Sequence, residues 1–567
     1  MRLALLRNTL FALFLFPLLF TSARAADDPN WWQHAVIYEI YPRSFADSNG
    51  DGIGDLKGIT EHLDYLKNLG VDAIWITPFY PSPQVDFGYD ISDYEGIDPQ
   101  FGTMADFDHL MAEATKRGLR VINDMVLNHT SDQHPWFKES EASRTNPKAD
   151  WYIWRDGKAD GTPPNNWVSI FGHSAWQFED SRKQFYYHAF YKEQPDLNWR
   201  DNEVRKAMYD TLRFWMKKGV SGFRLDAITS LFEDADLRDE PYVDGHNAYG
   251  DRNTTRQYTD NLPEVHDVQK ELRAVTNEFP GRMLIGETYL HSAQDLAGMY
   301  GAHNDELQLP MDTQLGFLNK LSAPEFRTLL TDAETKLNGN TPLLVFENHD
   351  NRRLMDRYGD GVHNDAIARL LAVLLLTPRD TALIYNGQEL GVVTVDPKRV
   401  EDVKDPIGRL GWPQDKGRDG ERLPMPWNGD TNAGFSTAKS TWLPVSPDYK
   451  TVNVAVESRD SNSMLNFYKT LIKLRKQDAQ LREGEFVSVD TDNPYVLSFL
   501  RKTKDGKAVL VSLNLSPNTQ ELKLDLKPAG INGMRLKRLV ASTSDVNPVD
   551  VQHISLPAYG SYVGHVE

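Results

Sequence analysis

Three acidic residues sit where bond-breaking chemistry could use them. Asp226 follows Arg224 by two positions, Glu287 lies between Gly286 and Thr288, and Asp350 follows His349. Two carboxyls flanking a glycosidic bond are the usual means of cleaving it: one attacks or stabilises the anomeric carbon, the other protonates the departing oxygen. On an extended strand residues two apart face the same side, so Arg224 can sit beside Asp226 and favour its charged form. No arginine closely follows Glu287 in the sequence, which predicts a carboxyl free to rise in pKa and act as the acid. Asp124, Asn128 and His129 form a further polar group at the end of an apolar run.

A second feature is Asp47-Ser-Asn-Gly-Asp-Gly-Ile-Gly-Asp55. Asp47, Asn49, Asp51 and Asp55 place oxygens at alternate positions, glycines let the chain wrap, and Ile53 can offer its carbonyl. That is the ligand pattern of a hard cation, Ca²⁺ by preference because an all-protein cage suits it, with Mg²⁺ as the alternative. It differs from an EF-hand, because Gly58 stands where the bidentate glutamate would be.

These residues need a scaffold that brings distant segments together. From Trp31 to about Pro397, short apolar runs alternate with amphipathic ones. Strands are predicted at 36–41, 73–77, 120–126, 222–226, 283–287, 307–310, 343–347 and 382–385. Helices are predicted at 59–69, ending at Gly70, and 104–117, closed by Gly118. Eight strands in β/α alternation predict a closed parallel barrel, whose active site lies at the C-terminal ends of the strands. Asp124, Arg224, Asp226, Glu287, His349 and Asp350 all fall at such ends. A long, Trp- and Pro-rich interval at 130–202 predicts an inserted domain. A last helix at 466–480 precedes strand-like runs at 495–500, 508–513 and 522–526, so the tail from 481 to 567 is expected to be all-β.

Composition narrows the partners. The 567 residues carry 62 basic and 81 acidic side chains, a net charge of −19, with no basic run. Such a chain repels phosphate backbones, so nucleic acid is not an expected partner and the substrate is expected to be small and neutral. With no cysteine there is no disulfide, thiolate metal site or cysteine nucleophile. Arg2 and Arg7, an apolar run at 9–20, and Ala23-Arg24-Ala25 read as an export signal over 1–25. The mature chain is then expected in the periplasm or medium, without a membrane span, as a monomer or homodimer.

The motifs together resemble the α-amylase superfamily of glycoside hydrolases (family 13 type), and within it the exo-acting α-glucosidase and oligo-1,6-glucosidase group. The matching segments are Asp124-Met-Val-Leu-Asn-His129, Gly222-Phe-Arg-Leu-Asp226, Gly286-Glu287, Glu347-Asn-His-Asp350, Asp86-Phe-Gly-Tyr-Asp90, Gln194-Pro-Asp-Leu-Asn198 and Gly417-Arg-Asp-Gly-Glu-Arg422. The resemblance implies a (β/α)₈ TIM barrel over 26–129 and 203–480, an inserted domain after the third strand over 130–202, and a C-terminal antiparallel β-sandwich domain. It implies Asp226 as nucleophile, Glu287 as general acid/base and Asp350 as the acid gripping sugar hydroxyls. His129 and His349 would bond the same glucose, Arg224 would orient Asp226, Tyr89 would stack on the sugar and Phe190 would line its wall. Asp86 and Arg422 would form the pair that closes the pocket, which implies an exo-acting, retaining enzyme. In that group valine after the nucleophile accompanies α-1,6 cleavage and threonine α-1,4 cleavage; here it is Ala227. The expectation is short α-1,4 glucosides such as maltose, with sucrose as a further candidate. The rivals are an α-1,6-preferring glucosidase, a glucosyl-shuffling isomerase of the sucrose isomerase or trehalose synthase type, and a non-enzymatic transporter subunit. The last would have a dismantled site, whereas all three acids are present here.

Overall fold

A computed structural model describes residues 28–567. The segment read as an export signal lies outside the described residues. Eight parallel strands close a barrel: β1 (Val36–Ile40), β2 (Ala73–Ile76), β3 (Arg120–Val126), β4 (Gly222–Asp226), β5 (Met283–Gly286), β6 (Leu309–Asp312), β7 (Leu343–Leu344) and β8 (Thr381–Tyr385), with β8 pairing back to β1. Helices flank them, so the strands are buried on both faces, and Glu39, Asp124, Arg224 and Asp226 within them are buried as well.

Side-chain parity positions the chemistry. Ile37, Trp75, Ile122, Met283, Ile285 and Leu383 belong to one buried cluster inside the barrel. Two residues beyond Ile37, Ile122 and Ile285, the same inward face carries Glu39, Asp124 and Glu287. Register sets Arg224 of β4 opposite Asp124 of β3 and Ile285 of β5. Gly222 permits this close approach of β4 and β5, since a Cβ there would lie 2.2 Å from the Met283 carbonyl oxygen.

Several element boundaries differ from the sequence reading. β6 begins at Leu309 instead of 307, because Leu307 N–H is tied to Met299 O and the Gln308 side chain takes the Leu284 N–H. β7 stops at Leu344 because Glu347 turns aside to accept from Leu354 N–H at 2.7 Å and Arg353 Nη1 at 3.2 Å. The helix expected at 59–69 is two, Leu56–Glu61 and Leu63–Leu69, broken at His62, whose ring packs 3.9 Å from Trp427. The last barrel helix runs Met464–Gln477, and Asp478 caps a short second helix, Ala479–Glu483.

After β3 the chain leaves the barrel through helix Pro135–Ala142 and a three-stranded sheet with Gln184–Tyr187 central. The C-terminal unit is a five-stranded antiparallel sheet, including Val496–Lys502, Ala508–Asn514 and Ser561–Val566, faced by the short pair Gln520–Leu522 and Ile554–Leu556. The strand expected at 522–526 contributes only its first residue, while Leu524 and Leu526 fill the core between the two sheets. Among the described residues no helix is long and apolar enough to cross a membrane.

Candidate active site

A cavity of about 960 Å³ opens at the C-terminal ends of the strands. Asp226, Glu287 and Asp350 line it, as do Asp86, Tyr89, His129 and Phe190. His349, expected to bond the sugar, Arg224, expected to orient Asp226, and Arg422, expected to close the pocket, are buried at its wall with at most 1% of each exposed.

Arg224 is the hub. Its Nη1 donates to Asp226 Oδ1 at 2.5 Å and to Asp124 Oδ1 at 3.1 Å, while Nη2 donates to Glu287 Oε1 at 2.5 Å. The second oxygen of Glu287 accepts from Ala227 N–H at 2.8 Å. Ala227 supports this in a left-handed backbone conformation, φ 46°. The expectation that Glu287 would be free of arginine is therefore corrected. β4 and β5 are neighbours, so Arg224, remote in sequence, lies beside Glu287 in space. Burial still pushes Glu287 up to about 7 against the pull of Arg224. Burial raises Asp226 to about 7 as well, and Asp124 to about 6, each opposed by the same guanidinium.

Asp350 is the opposite case. Burial works against its charge, but His349, Arg418 and Arg422 outweigh it and hold its carboxyl well below the usual range. Arg418 Nη1 and Arg422 Nη2 both donate to Asp350 Oδ1, at 3.0 and 2.8 Å. The pair expected between Asp86 and Arg422 is replaced: Asp86 Oδ1 accepts from Arg418 Nη2 at 2.7 Å. Arg422 instead points its Nε to the His349 carbonyl at 2.8 Å. The two arginines are four positions apart in one motif, and only the path of the chain decides which reaches Asp86. Buried Asp405 orients the winner, accepting from both N–H and Nε of Arg418 at 2.8 Å.

The other wall is neutral. Burial pushes His129 down to about 3. Its Nδ1 lies 2.9 Å from Asn128 Oδ1, and its Nε2 lies 3.0 Å from Gln194 Nε2, which also donates to Asp86 Oδ2 at 3.2 Å. Phe190 packs 5.1 Å from the His129 ring. The sequence reading places Asp124 at a strand end and Gln194 and Arg418 in motifs without a role for any of them, and it does not reach Asp405 or Glu39. A charge within the apolar run Val-Ile-Tyr-Glu-Ile of β1 was the available cue for Glu39.

The loop 47–55 lies away from this cavity. Asp47 accepts from Gly50 N–H at 2.7 Å and Gly52 N–H at 2.8 Å, Asn49 from Asp51 N–H, and Asp51 from Ile53 N–H. Asp55 caps the helix Leu56–Glu61 through Gly58 N–H and takes Ser48 with its other oxygen. Among the described residues no three acidic or histidine side chains converge as a metal cluster. The donors are all oxygen, the atom type a hard cation takes, while both oxygens of Asp47 and Oδ2 of Asp55 already accept two hydrogen bonds each.

Comparison with known proteins agrees with this architecture. The family described as "Alpha amylase, catalytic domain" matches residues 39–484, and "Maltogenic Amylase, C-terminal domain" matches 486–563. A probable alpha-glucosidase of Rhizobium meliloti is 42% identical, covering 96% of this chain and 98% of its own. An oligo-1,6-glucosidase of Parageobacillus thermoglucosidasius is 39% identical, covering 92% and 96%. The crystal structure of an alpha-glucosyl transfer enzyme, XgtA, superposes with a TM-score of 0.86 at 39% identity, covering 95% and 99%. With its barrel, its C-terminal sheet and relatives that span it nearly end to end, the chain belongs to the α-amylase family of glycoside hydrolases.

Proposed function

We propose that the protein is a retaining, exo-acting α-glucosidase that releases α-glucose from the non-reducing end of short α-glucosides. The observation that carries the reading is the junction of Asp86, Arg418 and Asp350 beside both other acids. One guanidinium ties two pocket carboxylates together and blocks the cavity on that side. A terminal glucose fits against such a wall, and an internal sugar of a long chain does not.

In this reading Asp226 is the nucleophile. Arg224 occupies Oδ1, and among the described residues Oδ2 has no hydrogen-bond partner, so it is the oxygen that bonds the anomeric carbon. Glu287 protonates the departing oxygen and then takes a proton from water, which releases the sugar with its α configuration. Glu287 bonds to residues on either side of Asp226 in sequence, Arg224 and Ala227. This supports the short carboxyl separation of retaining enzymes, about 5–5.5 Å, over the roughly 6.5–9.5 Å of inverting ones. Asp350, held ionised, grips ring hydroxyls. Ala227, which lines the cavity, is neither the valine nor the threonine of the resembling group, and we assign the preference to α-1,4 bonds in maltose-like substrates.

We further assign Ca²⁺ to the loop of Asp47, Asn49, Asp51, Ile53 and Asp55, in a structural role remote from the chemistry. Export to the periplasm or medium rests on the sequence of residues 1–25. The deciding experiment follows products from maltose, isomaltose, sucrose, trehalose and starch by ¹H NMR. α-Glucose is expected first, from maltose faster than from isomaltose, with starch poorly used. Initial β-glucose would refute retention, rearranged disaccharides would establish the isomerase reading, and rapid internal cleavage of starch would remove the closed end.

A further inference from the structure

Behind the pocket lies a chain of buried polar groups whose protons must all point one way. Glu39, fully buried on β1, accepts at Oε1 from His349 N–H at 3.2 Å and lies 2.6 Å from His349 Nδ1. The other ring nitrogen, Nε2, is 2.7 Å from the Tyr89 hydroxyl and 3.1 Å from Asp350 Oδ2. Tyr89 is in turn 3.1 Å from Asp124 Oδ2. Flipping the ring would put its carbons where the two nitrogens now meet Glu39, Asp350 and Tyr89, and Tyr41 stacks on the ring at 5.7 Å.

We infer that Glu39 is a positioning residue whose carboxyl fixes the His349 proton on Nε2, facing Asp350 and Tyr89. The alternative leaves groups unsatisfied. A bare Nε2 would turn its lone pair on a carboxylate that two arginines hold ionised. It would also compete with Asp124 for the single Tyr89 proton. With the proton on Nε2, every donor finds an acceptor. Nε2–H is shared by Asp350 Oδ2 and Tyr89 Oη, Tyr89 O–H goes to Asp124 Oδ2, and Arg224 satisfies Asp124 Oδ1. Nδ1 must then share one proton with Glu39 Oε1. Neutral acid with neutral imidazole, or carboxylate with imidazolium, are the two ends of that one bond and contain the same protons. The tautomer of a histidine is set by the partner of its other nitrogen, and here that partner is Glu39. Its effect passes to the sugar-gripping Asp350 and to Tyr89 in the wall, and Glu39 itself touches no substrate.

Two measurements test this. Neutron diffraction from deuterated wild-type crystals reads the protons directly and is independent of the functional reading. A deuteron on His349 Nε2, and one between Nδ1 and Glu39 Oε1, is expected; an undeuterated Nε2 overturns the inference. The second, resting on the proposed glucosidase activity and made only if the wild type cleaves maltose, compares Glu39→Gln with Glu39→Leu. A glutamine amide at the Oε1 position can still donate to Nδ1 but gives up the bond that Oε1 accepts from the His349 N–H, so Glu39→Gln is expected to lose less kcat than Glu39→Leu, which loses both bonds and falls roughly 10–100-fold in kcat with little change in KM, the scale of losing a group that orients a histidine. A folded Glu39→Gln variant as impaired as a disrupted site, or a fully active Glu39→Leu variant, overturns it. Should Glu39→Leu fail to fold, the glutamine variant and the neutron map still decide.

Discussion

Asp226 and Glu287 share one guanidinium, so neither titrates alone. Burial lifts both to about 7, and Arg224 resists by favouring their charged forms. The pair therefore loses its protons in two steps that belong to both groups. The productive form carries one proton, on Glu287. At lower pH the nucleophile is protonated too, and at higher pH the acid has lost its proton, so kcat/KM on maltose should trace a bell around neutrality. Glu287→Gln has no proton to give. It should lose on the order of 10²-fold or more in kcat and keep only the acidic limb. A pH series on both proteins checks this, and an unaltered bell in the variant would contradict the assignment. Arg418 is the second pivotal residue, because Asp86, Asp350 and Asp405 all bond it. Arg418→Met leaves buried Asp86 and Asp405 without their cation and Asp350 with Arg422 alone. Breaking such buried pairs costs about 3–5 kcal/mol of folding stability and frees the two pocket carboxylates to move, so the melting temperature and kcat/KM on maltose should both fall against the wild type. Unchanged kinetics would mean that the wall does not depend on this contact.

Among the elements, the strands work through parity. The apolar plug inside the barrel and the polar floor above it come from the same inward faces, Ile37 then Glu39, Ile122 then Asp124, Ile285 then Glu287. The loop 47–55 is the element most open to test. It is bonded to the rest of the molecule through Ser436 Oγ on Asp47 and through the Trp442 N–H on the Gly52 carbonyl. A cation bound there only in the folded state stabilises it by mass action, about 2.7 kcal/mol when free ion is one hundred times its dissociation constant. A chelator should lower the melting temperature, Ca²⁺ should restore it, and Mg²⁺ should restore it less. Identical melting curves in all three conditions would exclude the site.

For the whole molecule, the C-terminal sheet is continuous with the barrel's packing. Leu497, Phe499, Val509, Val511 and Val563 belong to the same buried cluster as Leu471 and Ile472 of the last barrel helix. Arg327, from a barrel helix, donates to the carbonyls of Asn493 and Val496 at the start of the strand Val496–Lys502. The opposite face of the sheet has its own core with Leu522 and Ile554. Because one face is shared, barrel and sheet should unfold together in a single calorimetric transition. Two resolved transitions would show that the shared face contributes little.

Local order is legible in the linear chain. Eight apolar runs in alternation with amphipathic ones are a barrel's signature, Gly118 closes the helix Met104–Arg117 as its φ of 70° requires, and the acids fall at strand ends. Such features depend on neighbours a few residues apart. What the linear order could not supply was pairing between strands and loops far apart in the chain. That Arg224 holds Glu287 as well as Asp226, that Arg418 and not Arg422 takes Asp86, and that Glu39 stands behind His349 each follow from register and chain path. Hydrogen bonds act over about 3 Å, so they are decided only when the closed barrel brings those side chains together.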